Sequence, residues 1–104
     1  MGTNVKAIGL RIRREREKVK ITREQLAEAI DMSVYYVGQI ERGERQMSVP
    51  TLIKVCRLFR VSADYILFGE YNPRKDILML LDDCTSEQID FINDFLRQLI
   101  PRLK

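Results

Sequence analysis

The sequence contains no histidine and only two cysteines among its 104 residues. Without histidine, acid–base or triad-type chemistry falls to carboxylates. No pair of them is spaced for that work, and Asp82-Asp83 reads as a helix end and turn. Two thiols without an imidazole make a poor zinc site, so neither a metal nor another cofactor is expected. Cys56 falls on the apolar face of a predicted helix and Cys84 in a polar turn, which reads as two reduced thiols in a cytoplasmic protein. There is no glycine-rich phosphate loop. No apolar run approaches the roughly 18 residues that span a bilayer. The opening Met1-Gly2-Thr3-Asn4-Val5 has no apolar signal-peptide core, and Lys6 stands where a myristoylation motif has Ser or Thr. Nothing alternates in the manner of a strand. These absences argue against an enzyme, a membrane protein and a β fold.

What is present is 45% apolar and 32% charged, a mix that suits a folded globular chain. The charge is uneven. Residues 1–69 carry 13 Lys and Arg against 8 Asp and Glu, whereas residues 70–104 carry 5 against 7. A basic front with a slightly acidic back points to a polyanion meeting the first two thirds of the chain.

The apolar spacing predicts seven helices. The first runs over residues 5–19, with Ile8, Ile12 and Val19 on one face and Arg16 between the last two. Thr22 caps the second, and Gln25 completes a capping box; Leu26, Ala27 and Ile30 form its apolar stripe. Ser33 caps the third, Val37 and Ile40 face inward, and Gly43 closes it in a left-handed turn. Ser48 caps the fourth, with Pro50 in its first turn and Leu52, Val55, Cys56 and Phe59 facing inward. Ser62 caps a short fifth, which Gly69 stops. Residues 69–74, GEYNPR, read as a linker. A sixth helix covers about 75–81, and Thr85 or Ser86 caps a seventh.

The second and third helices are about two turns each, too short to stand alone in water. A tight turn joins them. Leu26, Ala27, Ile30, Val37 and Ile40 would anchor both to a core, which leaves Val34, Tyr35, Gly38 and Gln39 pointing outward. A solvent-facing helix has little structural reason to show valine and tyrosine. Glutamine can pair bidentately with adenine in the major groove, and valine can meet a thymine methyl.

The stretch ITREQLAEAIDMSVYYVGQIERGERQMSVPTLIKVCRLFRVSADYILFG resembles the helix-turn-helix domain of the phage-repressor/Cro-like, or XRE-type, transcriptional regulators. The likeness covers about residues 8–69. It rests on Thr22, Leu26-Ala27, Ser33, Val37, Ile40-Glu41-Arg42-Gly43, Leu52, Cys56, Val61 and Ile66-Leu67 in combined spacing. Four positions depart from the pattern: Arg23 for glutamine, Asp31 for glycine, Met47 for proline, and the bulky Tyr35-Tyr36 pair. The resemblance implies an all-α fold, with a five-helix repressor-like DNA-binding domain over residues 1–69, a linker at 70–74 and a two-helix extension at 75–104. It implies base contacts from Val34, Tyr35 and Gln39, with Gly38 permitting close approach. Phosphate contacts are expected from Thr22, Arg23, Ser33, Tyr36, Arg42, Arg45, Thr51 and Lys54, helped by the amino-terminal amides of the second and fourth helices. It further implies a structural ion pair between Arg16 and Glu41.

The extension carries Ile89, Ile92, Leu96, Leu99 and Leu103 at spacings of three and four, widened by Phe91, Phe95 and Ile100. So much apolar surface is more than a tail of about 35 residues buries by itself. A helical hairpin for dimerisation or partner binding is expected, through Ile89, Ile92, Phe95, Leu96, Leu99 and Leu103. Packing back on the first domain is the plainer alternative. The function expected is a sequence-specific double-stranded DNA-binding transcriptional regulator, a homodimeric repressor reading a palindromic operator in the major groove. The rival is an antitoxin or adapter that uses the C-terminal helices to hold a small protein partner.

Overall fold

The computed structural model describes residues 4–103. The amino-terminal Met-Gly and the last residue of the expected hairpin, 104, lie outside them. Seven α-helices follow one another, and no strand occurs among the described residues: α1 (Val5–Lys18), α2 (Arg23–Ala29), α3 (Val34–Glu41), α4 (Val49–Phe59), α5 (Ala63–Phe68), α6 (Pro73–Leu81) and α7 (Ser86–Leu99). A 3-10 turn, Ile100–Leu103, completes the chain.

The helix starts follow the local chemistry of the sequence. Thr22, Ser33, Ser48, Ser62 and Thr85 each accept a bond from the amide three residues on. At Thr22 and Thr85 a glutamine side chain returns the bond, giving two full capping boxes. Asn4 and Asn72 cap α1 and α6 in the same way, two starts the sequence reading did not assign. Because α6 begins at Pro73, the last two residues of the expected linker, 73 and 74, are helical. Gly43 takes the left-handed conformation expected of it, and Gly69, expected to stop α5, takes it too, both at φ +73°. Asp31, in the turn between α2 and α3, sits at φ +56° where glycine would be unstrained.

The core is built by the first five helices and the turns between them. Ile8 and Ile12 meet Leu26, Ala27 and Ile30, then Val37 and Ile40, Val55, Cys56 and Phe59, Val61 and Ile66. Val19 does not join them: α1 ends one residue earlier, and the side chain is 51% exposed. Met47, at the position of the family's proline, packs against the core.

Two close contacts set how α3 lies on α1. At Gly9 the helices touch backbone to side-chain position. A Cβ there would come within 2.1 Å of the Ile40 carbonyl oxygen and 2.7 Å of that of Glu41. The second contact is ionic. The Glu41 side chain is only 1% exposed. Arg16 donates to it from Nε at 2.6 Å and from Nη2 at 3.1 Å. A third Arg16 bond, Nη1 to the Ile21 carbonyl at 3.0 Å, holds the connection into α2. Arg23, at the start of α2, adds its own Nε bond to Glu41 at 3.1 Å. One buried carboxylate therefore joins α1, α2 and α3. Its hydrogen bonds hold the Arg16 guanidinium above its ordinary pKa. A second buried carboxylate, Glu15, is satisfied by the Tyr65 hydroxyl and the Lys18 ammonium, each at 3.1 Å. Arg11 donates to the Ile66 carbonyl at the end of α5 at 3.0 Å.

The extension behaves differently. Neither α6 nor α7 buries a single side chain, so the two helices do not close into a packed hairpin, nor do they complete the core. An Arg60–Asp83 ion pair links the extension to the end of α4. The radius of gyration, 16.1 Å, exceeds the about 13 Å of a compact chain of this length, because the extension stands off. The apolar stripe of α7 also ends sooner than its spacing suggests. Pro101 removes an amide and crowds the preceding turn, so Leu103 lies on the 3-10 turn and not on a continuous helix. No described helix is long and apolar enough to cross a membrane.

Two substitutions probe these contacts. Gly9→Ala must push α1 away from α3 and is expected to lower the unfolding free energy by at least about 1–3 kcal/mol, the usual range for overpacking. A urea melt unchanged from the parent would contradict the close approach. Glu41→Gln strands two arginines and is expected to lose about 3–5 kcal/mol. A loss below about 1 kcal/mol in the same assay would mean that the carboxylate does not tie the helices.

Candidate nucleic-acid interface

The outward face of α3 mixes polar with exposed apolar side chains. At about 100° per residue, positions 34, 35, 38, 39 and 42 share that face, opposite the buried Val37 and Ile40. Ser33 accepts from the Tyr36 amide at 3.0 Å and so fixes where the helix starts. The turn before it is braced by the Met32 amide, which donates to the Ala27 carbonyl at 2.9 Å. Lys54, reaching from α4, donates to the Ile30 carbonyl at 3.4 Å.

Among the expected base contacts, Val34 is 42% and Tyr35 71% exposed. Gln39 is half-buried, and its Oε1 lies 3.5 Å from Arg45 Nη1, which donates to it. Gly38 is a correction. It is buried, because the Arg42 guanidinium lies back along the helix above it; a Cβ on Gly38 would come within 2.8 Å of Arg42 Nη1. The close approach that a glycine permits is used by a side chain of the same helix.

The expected phosphate contacts divide into four groups. Thr22 and Ser33 are exposed and already serve as caps. The arginines and Tyr36 are engaged with neighbours. Arg23 is bound to Glu41 through Nε. Arg42 makes a two-pronged bond to Glu44, Nε to Oε2 at 2.9 Å and Nη2 to Oε1 at 3.2 Å. That bond draws the Glu44 carboxyl below the usual carboxylate range and raises the Arg42 guanidinium. Arg45 lies over the Tyr36 ring, 5.0 Å from its centroid, a cation–π stack that orders the tyrosine at the edge of the face. Thr51 is the second correction: it is 1% exposed, and its Oγ1 accepts from the Ser48 hydroxyl at 3.0 Å. It supports the start of α4 from inside and presents no hydroxyl to a ligand. Lys54 is exposed, with its ammonium also serving the end of α2.

Glu44 was missed by sequence reasoning. Its pairing with Arg42 depends on the left-handed turn at Gly43, and two residues across such a turn carry no spacing signal. Arg45 stands differently. Among the described residues, no carboxylate lies within ion-pair distance of it, so its charge is uncompensated. The six expected interface residues of the extension lie elsewhere. Ile89, Phe95, Leu96 and Leu103 are 40%, 55%, 38% and 71% exposed, and Ile92 and Leu99 are half-buried.

With the geometry in view, known proteins place the chain. A family model described as helix-turn-helix matches residues 12–66, more than half of the sequence. The HTH-type transcriptional regulator PrpR of Mycobacterium tuberculosis is 40% identical over 57 residues, 55% of this chain but 12% of PrpR. The HTH-type transcriptional regulator ImmR of Bacillus subtilis is 28% identical over 88 residues, 85% of this chain and 69% of ImmR. The crystal structure of the P22 c2 repressor with synthetic operator 9T superposes with a TM-score of 0.59 at 32% identity, over 61% of this chain and 96% of that one. The matched chain is thus a small part of PrpR and about two thirds of ImmR. The chain belongs to the helix-turn-helix family of phage-repressor/Cro-like, XRE-type regulators.

Proposed function

We propose that the chain is a sequence-specific double-stranded DNA-binding transcriptional regulator, a homodimeric repressor that lays α3 in the major groove. The observation that carries the reading is the outward face of α3, where Val34 and Tyr35 stand exposed while Val37 and Ile40 are fixed in the core. The family supports it, as do PrpR and ImmR, named as transcriptional regulators, and the P22 c2 repressor, crystallised with an operator. Val34, Tyr35 and Gln39 are the base-reading residues on this reading. On the same reading Thr22, Arg23, Ser33, Tyr36, Arg42, Arg45 and Lys54 meet phosphates. No catalytic role and no cofactor is proposed, and DNA as ligand goes with a cytoplasmic protein.

The homodimer is proposed on a separate observation. The extension exposes Leu78, Phe91, Phe95 and Leu103 at more than half of their surface. Contiguous apolar surface left open on a monomer is a mark of an interaction site. A second copy bound there would set two α3 helices on half-sites about one helical turn apart. The same stripe could instead hold a small foreign protein, the adapter or antitoxin reading.

Three variants test the proposal. Gln39→Ala should flatten preference at one base pair, a loss of about 1–3 kcal/mol in discrimination, with little change on random duplex. Equal weakening on specific and random DNA would sink its assignment to a base. Arg45→Gln should weaken both duplexes alike and lower the log–log salt slope by about 0.9; no change in slope would remove Arg45 from the phosphate set. Leu96→Glu should convert a dimer to a monomer in analytical ultracentrifugation and cut operator affinity at least tenfold by the loss of the second half-site. A parent that is monomeric at micromolar concentration, with a small protein co-purifying on the extension, would favour the adapter reading.

A further inference from the structure

Arg42 is the last residue on the outward face of α3, and its guanidinium is spoken for on both sides. One edge lies above Gly38, within reach of a Cβ that the glycine lacks. The other edge is filled by the Glu44 carboxylate, through bonds of 2.9 and 3.2 Å. Two near-parallel bonds from a guanidinium to a planar pair of oxygens are also the arrangement that arginine makes with a phosphate.

The carboxylate is held there by the backbone. Gly43 turns left-handed at φ +73°. Its amide donates to the Ile40 carbonyl at 3.0 Å, and the Glu44 amide donates to that of Gln39 at 2.8 Å. The loop start is thereby locked onto the end of α3, and the carboxylate is delivered to Arg42. The pair is nonetheless open to solvent, with 52% of the Glu44 side chain exposed. Among the described residues Arg42 is the one cation within ion-pair distance of Glu44.

We propose that Glu44 is a built-in phosphate competitor, which neutralises the Arg42 clamp in the free protein and must be displaced by a DNA backbone phosphate. The inference rests on the DNA-binding reading above. It makes the neighbouring arginines unequal. Arg45, bonded to the neutral Gln39 and stacked on Tyr36, attracts DNA with its full charge. Arg42 contributes only by exchange, phosphate for carboxylate. A phosphate taken by Arg42 sheds its condensed cation, but the displaced Glu44 carboxylate stays beside the DNA, where its charge offsets the one that Arg42 brings. The Arg42 contact therefore adds almost nothing to the salt dependence of binding, and Glu44 holds down affinity for DNA of any sequence.

The test is a fluorescence anisotropy titration of a labelled random-sequence duplex from 50 to 200 mM salt. It compares the parent, Glu44→Gln, Arg42→Gln and the double variant, each shown by a thermal melt to be folded. Glu44→Gln should bind more tightly than the parent and steepen the log–log salt slope by about 0.9, one phosphate contact's worth. Over that fourfold salt range the gain at 50 mM should exceed the gain at 200 mM by about 3.5-fold. In the Arg42→Gln background the same change should produce less than half of that steepening. An unchanged slope in Glu44→Gln would overturn the inference. So would full steepening without Arg42, since Glu44 would then act only through overall charge. A parent that binds no duplex at any salt would overturn the DNA-binding reading itself, and this inference with it.

Discussion

The Glu41 carboxylate, shut away from water between Arg16 and Arg23, is the constraint on which the rest depends. A buried charge is tolerated only when its lone pairs are filled, and here both oxygens are bonded. Meeting that condition requires α1, the loop at Ile21, the first turn of α2 and the last turn of α3 to meet at one place. Gly9 removes the side chain that would keep α1 and α3 apart there. The α3 axis is thus set by a backbone contact on one side and an ion cluster on the other. Its outward face owes its direction to what happens at its inward end.

The same carboxylate alters the surface. Arg23 lends one nitrogen to Glu41 and remains partly open, so a residue expected only to meet phosphate also holds the fold. Arg42 and Glu44 repeat the motif without burial, where a bond between exposed groups contributes little to stability. Cost and benefit differ accordingly. The buried cluster fixes the direction of α3, and the exposed pair lowers the net charge beside it. A basic domain that meets every duplex equally well would be slow to leave wrong ones, so carboxylates beside clamps are physically reasonable in a protein proposed to select one sequence.

Much of the fold was legible because helix starts are local events. A hydroxyl three residues before an amide needs no tertiary information, and the caps at Thr22, Ser33, Ser48, Ser62 and Thr85 all formed as their spacing predicts. The inward faces were legible for the same reason of period. What failed depended on contacts across space or on polar residues in apolar positions. Thr51 lies one turn before Val55 and so belongs to the buried face of α4, a placement that its hydroxyl disguised. Gly38 looked open because nothing in the sequence says where the Arg42 side chain turns. Leu103 kept the heptad spacing while Pro101 broke the helix that spacing presumes. Gly9 carried a faint signal, since glycine inside a helix weakens it and so suggests a close neighbour. The outward residues of α3 were placed correctly as to exposure for Val34 and Tyr35, which period alone decides.

The central claim is that α3 reads a sequence and that two copies read it together. Selection from a randomised duplex library at near-physiological salt tests both halves at once. The account predicts enrichment of a palindrome whose half-sites lie about ten base pairs apart, one turn of the double helix. Weak, salt-sensitive retention with no enriched sequence would contradict it.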